Sequence, residues 1–479
     1  MIRTKKPISL LDGIDRKTGV IIQKGHELEG KCIANVELRF PKSTGSTVGI
    51  CTLLELKENA VAPKKIILSE PDSNVIAGCI LAGIPIEVEG IKETKLDNRE
   101  LAKIKHLPKY LQDILVKEAE ISGAKGFIPI ENVQIAGVSY KTIGEGGLKA
   151  IKYFTEKGDT VKVPTTLNPA GMDLEKWKEQ GISDEFAKKQ LEIIAAFRKI
   201  GVVPTASCIP YSLGNFAPSG KHIAFGESSA VNFVNSVLGC RTNRENSIKT
   251  IVSALSGYTL NNGLHLSENR NPDCEIQVNC KLNSIADFGA LGYFAGEHCE
   301  IPYISGISPN FWELKAIAAA SAAVGSVNLF FVEGMISADR SKVQKIFSFG
   351  AKELEEIYKK LNTTDKIPDL ITVGCPHYDI FEVKKIAMLL KGKKLKIPFW
   401  IMTANLFKLQ AKSYGYLEMI EKSGASLYSD TCMVVAPIED LGFNITATDS
   451  AKAAKYLPNF CRQQVVFKPL EKLIELATA

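Results

Sequence analysis

Long apolar runs are scarce in this chain. The nearest to one, Ala316 to Val332 (AIAAASAAVGSVNLFFV), is alanine-rich and is interrupted by Gly325 and Asn328. It falls short of the ~20 apolar residues a membrane span needs. It reads as a buried helix followed by a strand, and no membrane partner is expected. Blocks of basic residues are missing as well: a net charge of +6 is spread over 59 Lys and Arg against 53 Asp and Glu, so no nucleic-acid partner is expected. The opening MIRTKKPISLLDGIDRKTG is positive but lacks the apolar stretch of a signal peptide. The expectation is a cytoplasmic protein. Regular cysteine spacing is absent and the number of cysteines, eleven, is odd, so thiols and metal ligands are expected in place of a disulfide framework. No internal repeat or low-complexity segment stands out, which argues against a solenoid.

What the sequence does contain is alternating helix and strand patterns over 479 residues, enough for two to four domains. Residues 1–95 read as a small α/β unit, with strands at GVIIQ, CIANVELRF, KIILS and IPIEV and helices at TVGICTLLELKENA and SNVIAGCILAG. Between its second strand and first helix lies PKSTGSTVG. That turn places Ser43, Thr44, Ser46 and Thr47 near a helix N-terminus, where unpaired N–H groups suit a capping hydroxyl or a negative charge. The charged residues 96–107 read as a linker or an exposed helix. Residues 108–479 read as a larger unit of several α/β subdomains, in which VKVPT, VNLFFVEG, DLITVG and KIPFWIMT are strands and KVQKIFSFGAKELEEIYKKL is one helix.

Loops that follow strands form the ligand crevices of α/β sheets. Here those loops include SYKTIGEGG with Ser139 and Lys141, TLNPAGMDL with Asn168, CPHYD with Cys375 and DTCMVVAP with Cys432. The stretch Pro204 to Arg270 concentrates polar groups that are costly to bury without partners, so it is expected to line a cleft. Cys208, Cys375 and Cys432 each lie close to an apolar strand-like segment. Gathered by the fold, three thiolates could hold an iron–sulfur cluster with one open iron; taken singly, they are ordinary buried thiols. His265 and Glu268 in LHLSEN suit an acid–base pair, or else a structural histidine. Arg241, Arg244 and Arg270 could clamp a carboxylate or phosphate, or form surface ion pairs. Asn168, Asn215 and Asn243 could orient polar substrate groups or simply serve turns. A cysteine-nucleophile hydrolase built on Cys375 and His377 is a weaker rival.

The motifs PKSTGSTVG, LLELKENAVAPKKIIL and AGIPIEV are followed, in order, by VSYKTIGEGG, VPTTLNPAGMDL, SCIPYSLGN, GESSAVNFVNSVLG, RTNRE, GLHLSENRNP, GCPH and DTCMVVAP. Together they resemble aconitase X, a branch of the aconitase superfamily, over nearly the whole chain. The resemblance implies an aconitase-like, multidomain α/β/α large unit fused to an N-terminal swivelling β/α domain, so that no separate small subunit is needed. It implies a hydro-lyase that removes water from a small anionic β-hydroxy carboxylate at an iron–sulfur cluster, a [4Fe-4S] first, with [2Fe-2S] or mononuclear iron as alternatives. Carried over by position, Ser46 of GSTVG would be the base and Cys208, Cys375 and Cys432 the cluster ligands. His265 with Glu268 would assist departure of water, and Arg241, Arg244 and Arg270 would hold the carboxylate. Of the family's two substrates, GSTVG, SYKTIG and RTNRE are closer to the 5-phosphomevalonate branch, with Lys141 and Ser139 as phosphate contacts. Fusion is commoner among the cis-3-hydroxy-L-proline dehydratases. A cluster-binding sensor without turnover is the further alternative.

Overall fold

Short runs of β-branched and aromatic residues, buried on both faces, become strands of parallel sheets, with helices as the crossovers between them. The computed structural model describes residues 1–10, 13–44, 50–90, 95–335 and 338–478. Ser46, with the rest of 45–49, lies outside the described residues.

The first sheet orders its strands Ile2–Arg3, Glu37–Phe40, Lys65–Leu68 and Ile86–Val88, all parallel. Helices Ile50–Glu58 and Ser73–Ala82 connect the last three strands, and Leu38, Phe40, Ile66, Leu68 and Ile76 fill the core beneath them. GVIIQ is not a strand of this sheet. Ile21 and Val20 make isolated antiparallel bridges to Ile14 and Cys32, and Ile2–Arg3 takes the sheet edge instead. The charged segment beyond is no free tether. Asp97 caps the helix Asn98–Ile104, Glu100 accepts the Phe127 N–H at 2.8 Å, and Ile104 and Leu107 are buried in the core of the following unit.

That unit holds a three-stranded parallel sheet, ordered Ala224–Phe225, Val133–Ile135, Thr165–Leu167. A four-stranded parallel sheet follows, ordered Phe331–Val332, Pro302–Ser305, Cys274–Val278, Lys345–Phe349. The last sheet has five parallel strands, ordered Ala425–Ser429, Phe399–Thr403, Leu370–Tyr378, Ile445–Thr448, Gln464–Phe467. The α/β expectation therefore holds through the chain. The alanine-rich run forms the helix Phe311–Gly325 followed by the strand Phe331–Val332. Its small residues are explained by close packing: a Cβ on Gly325 would strike the backbone of Gly296 on helix Ile285–His298. No described helix is long and apolar enough to cross a membrane.

Further expectations fail here: the strand expected at VKVPT lies at Thr165–Leu167, and the central strand Leu370–Tyr378 runs on through CPHY, expected as a loop. KVQKIFSF does not join the helix that follows it. Lys345–Phe349 pairs as an edge strand with Cys274–Val278 and only Ala351–Leu361 is helical, since an isoleucine and two phenylalanines in five residues suit a pleated surface better than a helix. Nor are all cysteines free thiols. Cys274, at the start of its strand, is bonded to Cys299, the C-cap of helix Ile285–His298.

Candidate functional site

Loops at the C-terminal ends of the three-stranded and five-stranded sheets line one cavity of about 120 Å³, where parallel strands leave their crevice. The three-stranded sheet contributes Gly137 and Ser139 after Val133–Ile135, Asn168 after Thr165–Leu167, and Glu227 and Ser228 after Ala224–Phe225. The five-stranded sheet contributes Cys375 from its central strand, Cys432 after Ala425–Ser429 and Lys452 after Ile445–Thr448. A backbone hydrogen bond from Ala170 N–H to Asp430 O at 2.8 Å joins the two sets of loops.

Each cysteine follows a residue in the left-handed region: Ala206 (φ 43°) before Cys208, Gly374 (φ 91°) before Cys375 and Asp430 (φ 65°) before Cys432. Such conformations are held only where surrounding structure fixes them, and they cluster at functional sites. At Gly374 the need is plain, because a Cβ would strike the Met402 carbonyl oxygen, and the pairing with Phe399–Thr403 shifts register just there. The three loops meet on His377. Its Nδ1 lies 3.2 Å from Ser207 Oγ, its Nε2 lies 2.7 Å from Thr431 O, and its backbone N–H donates to Cys208 Sγ at 3.2 Å. Burial pushes the His377 imidazole down to about 4, so it is neutral at pH 7.

The thiols are electrostatically unequal. A hydrogen bond with Cys432 holds Cys375 below the ordinary thiol range against the cost of burial, helped by Lys452 and Ser450, while Cys432 is raised in return. Cys208 is pushed up to about 12 by burial and then by Glu227. Lys452 forms a buried ion pair with Glu227 and donates to Ser229 Oγ at 3.2 Å. Burial opposes both charges, but each outweighs that cost for the other. Among the described residues, no three His, Cys, Asp or Glu side chains stand as a ready cage for a single metal ion. The donor set nonetheless fits an iron–sulfur cluster: three soft sulfurs border one cavity, N–H groups of His377 and Val434 point at two of them, and an ammonium stands beside them.

Of the sequence-predicted residues, the cavity gathers Cys208, Cys375, Cys432, Ser139, Asn168 and Arg244. Ser139 donates to Val435 O at 2.8 Å, and the Asn168 Oδ1 and Arg244 Nε atoms are buried without a hydrogen-bond partner among the described residues. The others are committed elsewhere. Lys141 does not line the cavity, because its ammonium is bound to Glu439 at 2.8 Å and Ala436 O at 3.0 Å. Arg241 donates to His265 O, and Arg270 pins Asn235, Leu264 and Cys240 O. Asn215 ties Val133 O to Thr166, and Asn243 binds Asn262 and Leu264 N–H. His265 and Glu268 do not form a pair: buried His265 meets His222 at 3.0 Å and Glu245 at 3.9 Å, whereas Glu268 is exposed. Sequence reasoning missed Glu227 and Lys452. A lysine in the first turn of a helix opposes the helix dipole, and that was the available signal of a paired cation.

Comparison with known proteins gives the geometry a context. Residues 1–111 match the aconitase X swivel domain, and 95–268, 272–359 and 368–479 match its first, second and third domains. The phosphomevalonate dehydratase large subunit of Methanocaldococcus jannaschii is 45% identical over 76% of this chain and 94% of its own length. The phosphomevalonate dehydratase small subunit of Thermococcus onnurineus is 40% identical over 22% of this chain and 80% of its own. The cis-3-hydroxy-L-proline dehydratase of Pseudomonas aeruginosa is 29% identical over 98% of this chain and 92% of its own length. The crystal structure of Thermococcus kodakaraensis aconitase X, holo-form, superimposes with a TM-score of 0.73 at 37% identity, covering 80% of this chain and all of that one. With all four domain types present in order and a dehydratase relative at 45% identity, the chain belongs to the aconitase X family.

Proposed function

We propose that the chain dehydrates 5-phosphomevalonate, with the roles of large and small subunits joined in one polypeptide. The observation that carries this reading is that three thiols share one cavity with Arg244, whose Nε has no hydrogen-bond partner among the described residues. A half-buried guanidinium whose Nε is left unpaired beside a cleft suits an anionic substrate. Relatives support the substrate from both ends of the chain. A phosphomevalonate dehydratase small subunit is 40% identical over 22% of the chain, and a large subunit is 45% identical over 76% of it.

Cys208, Cys375 and Cys432 would hold an iron–sulfur cluster, which when bound supplies a Lewis acid for departure of the hydroxyl. The chain's own groups do the rest. Arg244 binds an anionic group of the substrate, Asn168 Oδ1 accepts a hydrogen bond from a substrate donor, and the Glu227–Lys452 pair balances charge beside the sulfurs. Ser46 removes the proton alpha to the carboxylate, a role that rests on the family resemblance of GSTVG. Cis-3-hydroxy-L-proline is the second reading, favoured by the single-chain relative that matches 98% of this chain. An anaerobic side-by-side assay decides: turnover of 5-phosphomevalonate is expected, and activity on cis-3-hydroxy-L-proline alone overturns the first reading. A bound cluster without turnover of either compound would favour a sensor.

A further inference from the structure

His377 stands on the strand that carries Cys375 and touches the loops of the other two cysteines. Thr431 O can only accept, so the imidazole proton sits on Nε2, and Nδ1 is left to accept from the Ser207 hydroxyl. Ser207 Oγ in turn accepts the Ile209 N–H at 3.3 Å, which aims its own hydrogen at the ring. The backbone of His377 is held too. Its N–H points at Cys208 Sγ, and its carbonyl accepts from Lys315 Nζ at 3.0 Å. Ser207 and Thr431 are the chain neighbours of Cys208 and Cys432. One ring therefore spans three segments that the sequence separates by 170 and 54 residues.

We propose that His377 is a positioning residue for the three cysteines: without being a ligand itself, it fixes the spacing of their loops so that the sulfurs can bind one iron–sulfur cluster together. This rests on the cluster reading above. Losing either arm frees one cysteine loop relative to the other two, and partners of this kind typically change metal affinity by roughly 10–100-fold.

The test uses the full chain, purified without oxygen, as parent, Ser207→Ala, His377→Gln and His377→Ala. The glutamine amide can keep the donor to Thr431 O but offers no acceptor at the Nδ1 position, so it separates the two arms and guards against a misfolded alanine variant. Iron and sulfide content, the rate of iron loss to a chelator and the spectrum of the reduced cluster are read. His377→Ala is expected to lose iron at least about tenfold faster with an altered spectrum, with Ser207→Ala and His377→Gln in between. Parent-like loss rates and spectra in all three variants overturn the proposal. A metal-free arm separates the two ideas: the cluster-free chains are titrated with Cd²⁺ and the thiolate charge-transfer band is measured. If the parent carries no cluster yet binds Cd²⁺ through three thiolates, the iron–sulfur reading fails. In that event equal Cd²⁺ affinity across the variants overturns the positioning role, and weakening by about tenfold in His377→Ala supports it.

Discussion

At the scale of single residues, Arg244 is the sharpest point of leverage. It lines the cavity and its Nε is buried without a partner among the described residues, so replacing it strips no hydrogen bond from those residues at that atom. Arg244→Gln should keep the folding free energy within about 1 kcal/mol of the parent. It should lose a charged hydrogen bond to substrate worth about 1.5–3 kcal/mol, which reads as a roughly ten- to hundredfold fall in kcat/KM for 5-phosphomevalonate. Parallel denaturation curves and steady-state kinetics check this. A large loss of stability with intact turnover would make Arg244 a structural residue instead. The sequence favoured none of the three arginines, because a guanidinium that clamps substrate and one that pins carbonyls are the same residue type. Only the fold distinguishes Arg244 from Arg270, whose hydrogen bonds are all spent on Asn235, Leu264 and Cys240. Lys141 misled for a related reason: its partner Glu439 lies 298 residues away, beyond the reach of any local pattern. Glu227 and Lys452 were hidden likewise, 225 residues apart in sequence and paired in space.

At the scale of elements, strands buried on both faces were readable where a short apolar run marks them, as at DLITVG and KIPFWIMT, but the strand Leu370–Tyr378 runs on through CPHY, which the sequence places in a loop. Edge and loop segments were not, as KIFSF and GVIIQ illustrate, since pairing partners decide their state. The same dependence on distant partners governs how helices hold each other. Lys249, on helix Ser247–Ser256, sits 2.8 Å from Glu245 and 3.5 Å from Glu118 of helix Lys109–Ser122, all three buried. Its charge is shared unevenly. Burial works against Glu245, yet Lys249 and His265 hold it down to about 2, whereas burial wins at Glu118 and raises it. Lys249→Met would leave two buried carboxyl groups without their cation, and a cost of about 3–5 kcal/mol in urea denaturation is expected. Adding Glu118→Gln should recover part of that loss, because one of the stranded carboxyl groups is then gone. A single variant as stable as the parent would mean that the helices are held together by their apolar contacts alone.

At the scale of the whole molecule, the question is what sets the N-terminal unit against the cavity. Helix Ile50–Glu58 directly follows, in sequence, residues 45–49, which carry Ser46, the proposed base. The contact that places that helix is built on a glycine. Helix Tyr140–Thr155 breaks at Gly144 (φ 57°, ψ −161°), and the break leaves the Gly146 N–H as a fresh helix-start donor. Glu55 Oε1 accepts that N–H at 3.1 Å and the Arg16 guanidinium at 2.9 Å, and a Cβ at Gly144 would come within 3.2 Å of both side chains. The same helix begins after Ser139, which lines the cavity. Lys149 and Glu58 add an ion pair at 2.7 Å, but it is exposed and worth little. Glu55→Ala should therefore loosen the seat of the swivel unit without unfolding either part. Amide exchange at Gly146 and the residues after it should quicken, and kcat/KM for 5-phosphomevalonate should fall, by up to about 100-fold if the misplacement reaches 1 Å. Glu55→Gln retains an acceptor for the Gly146 N–H and should lose much less. Iron content must stay at the parent level in both, because the cysteines belong to the other side of the contact. Unchanged exchange together with unchanged turnover in Glu55→Ala would mean that the N-terminal unit is positioned by something other than this contact.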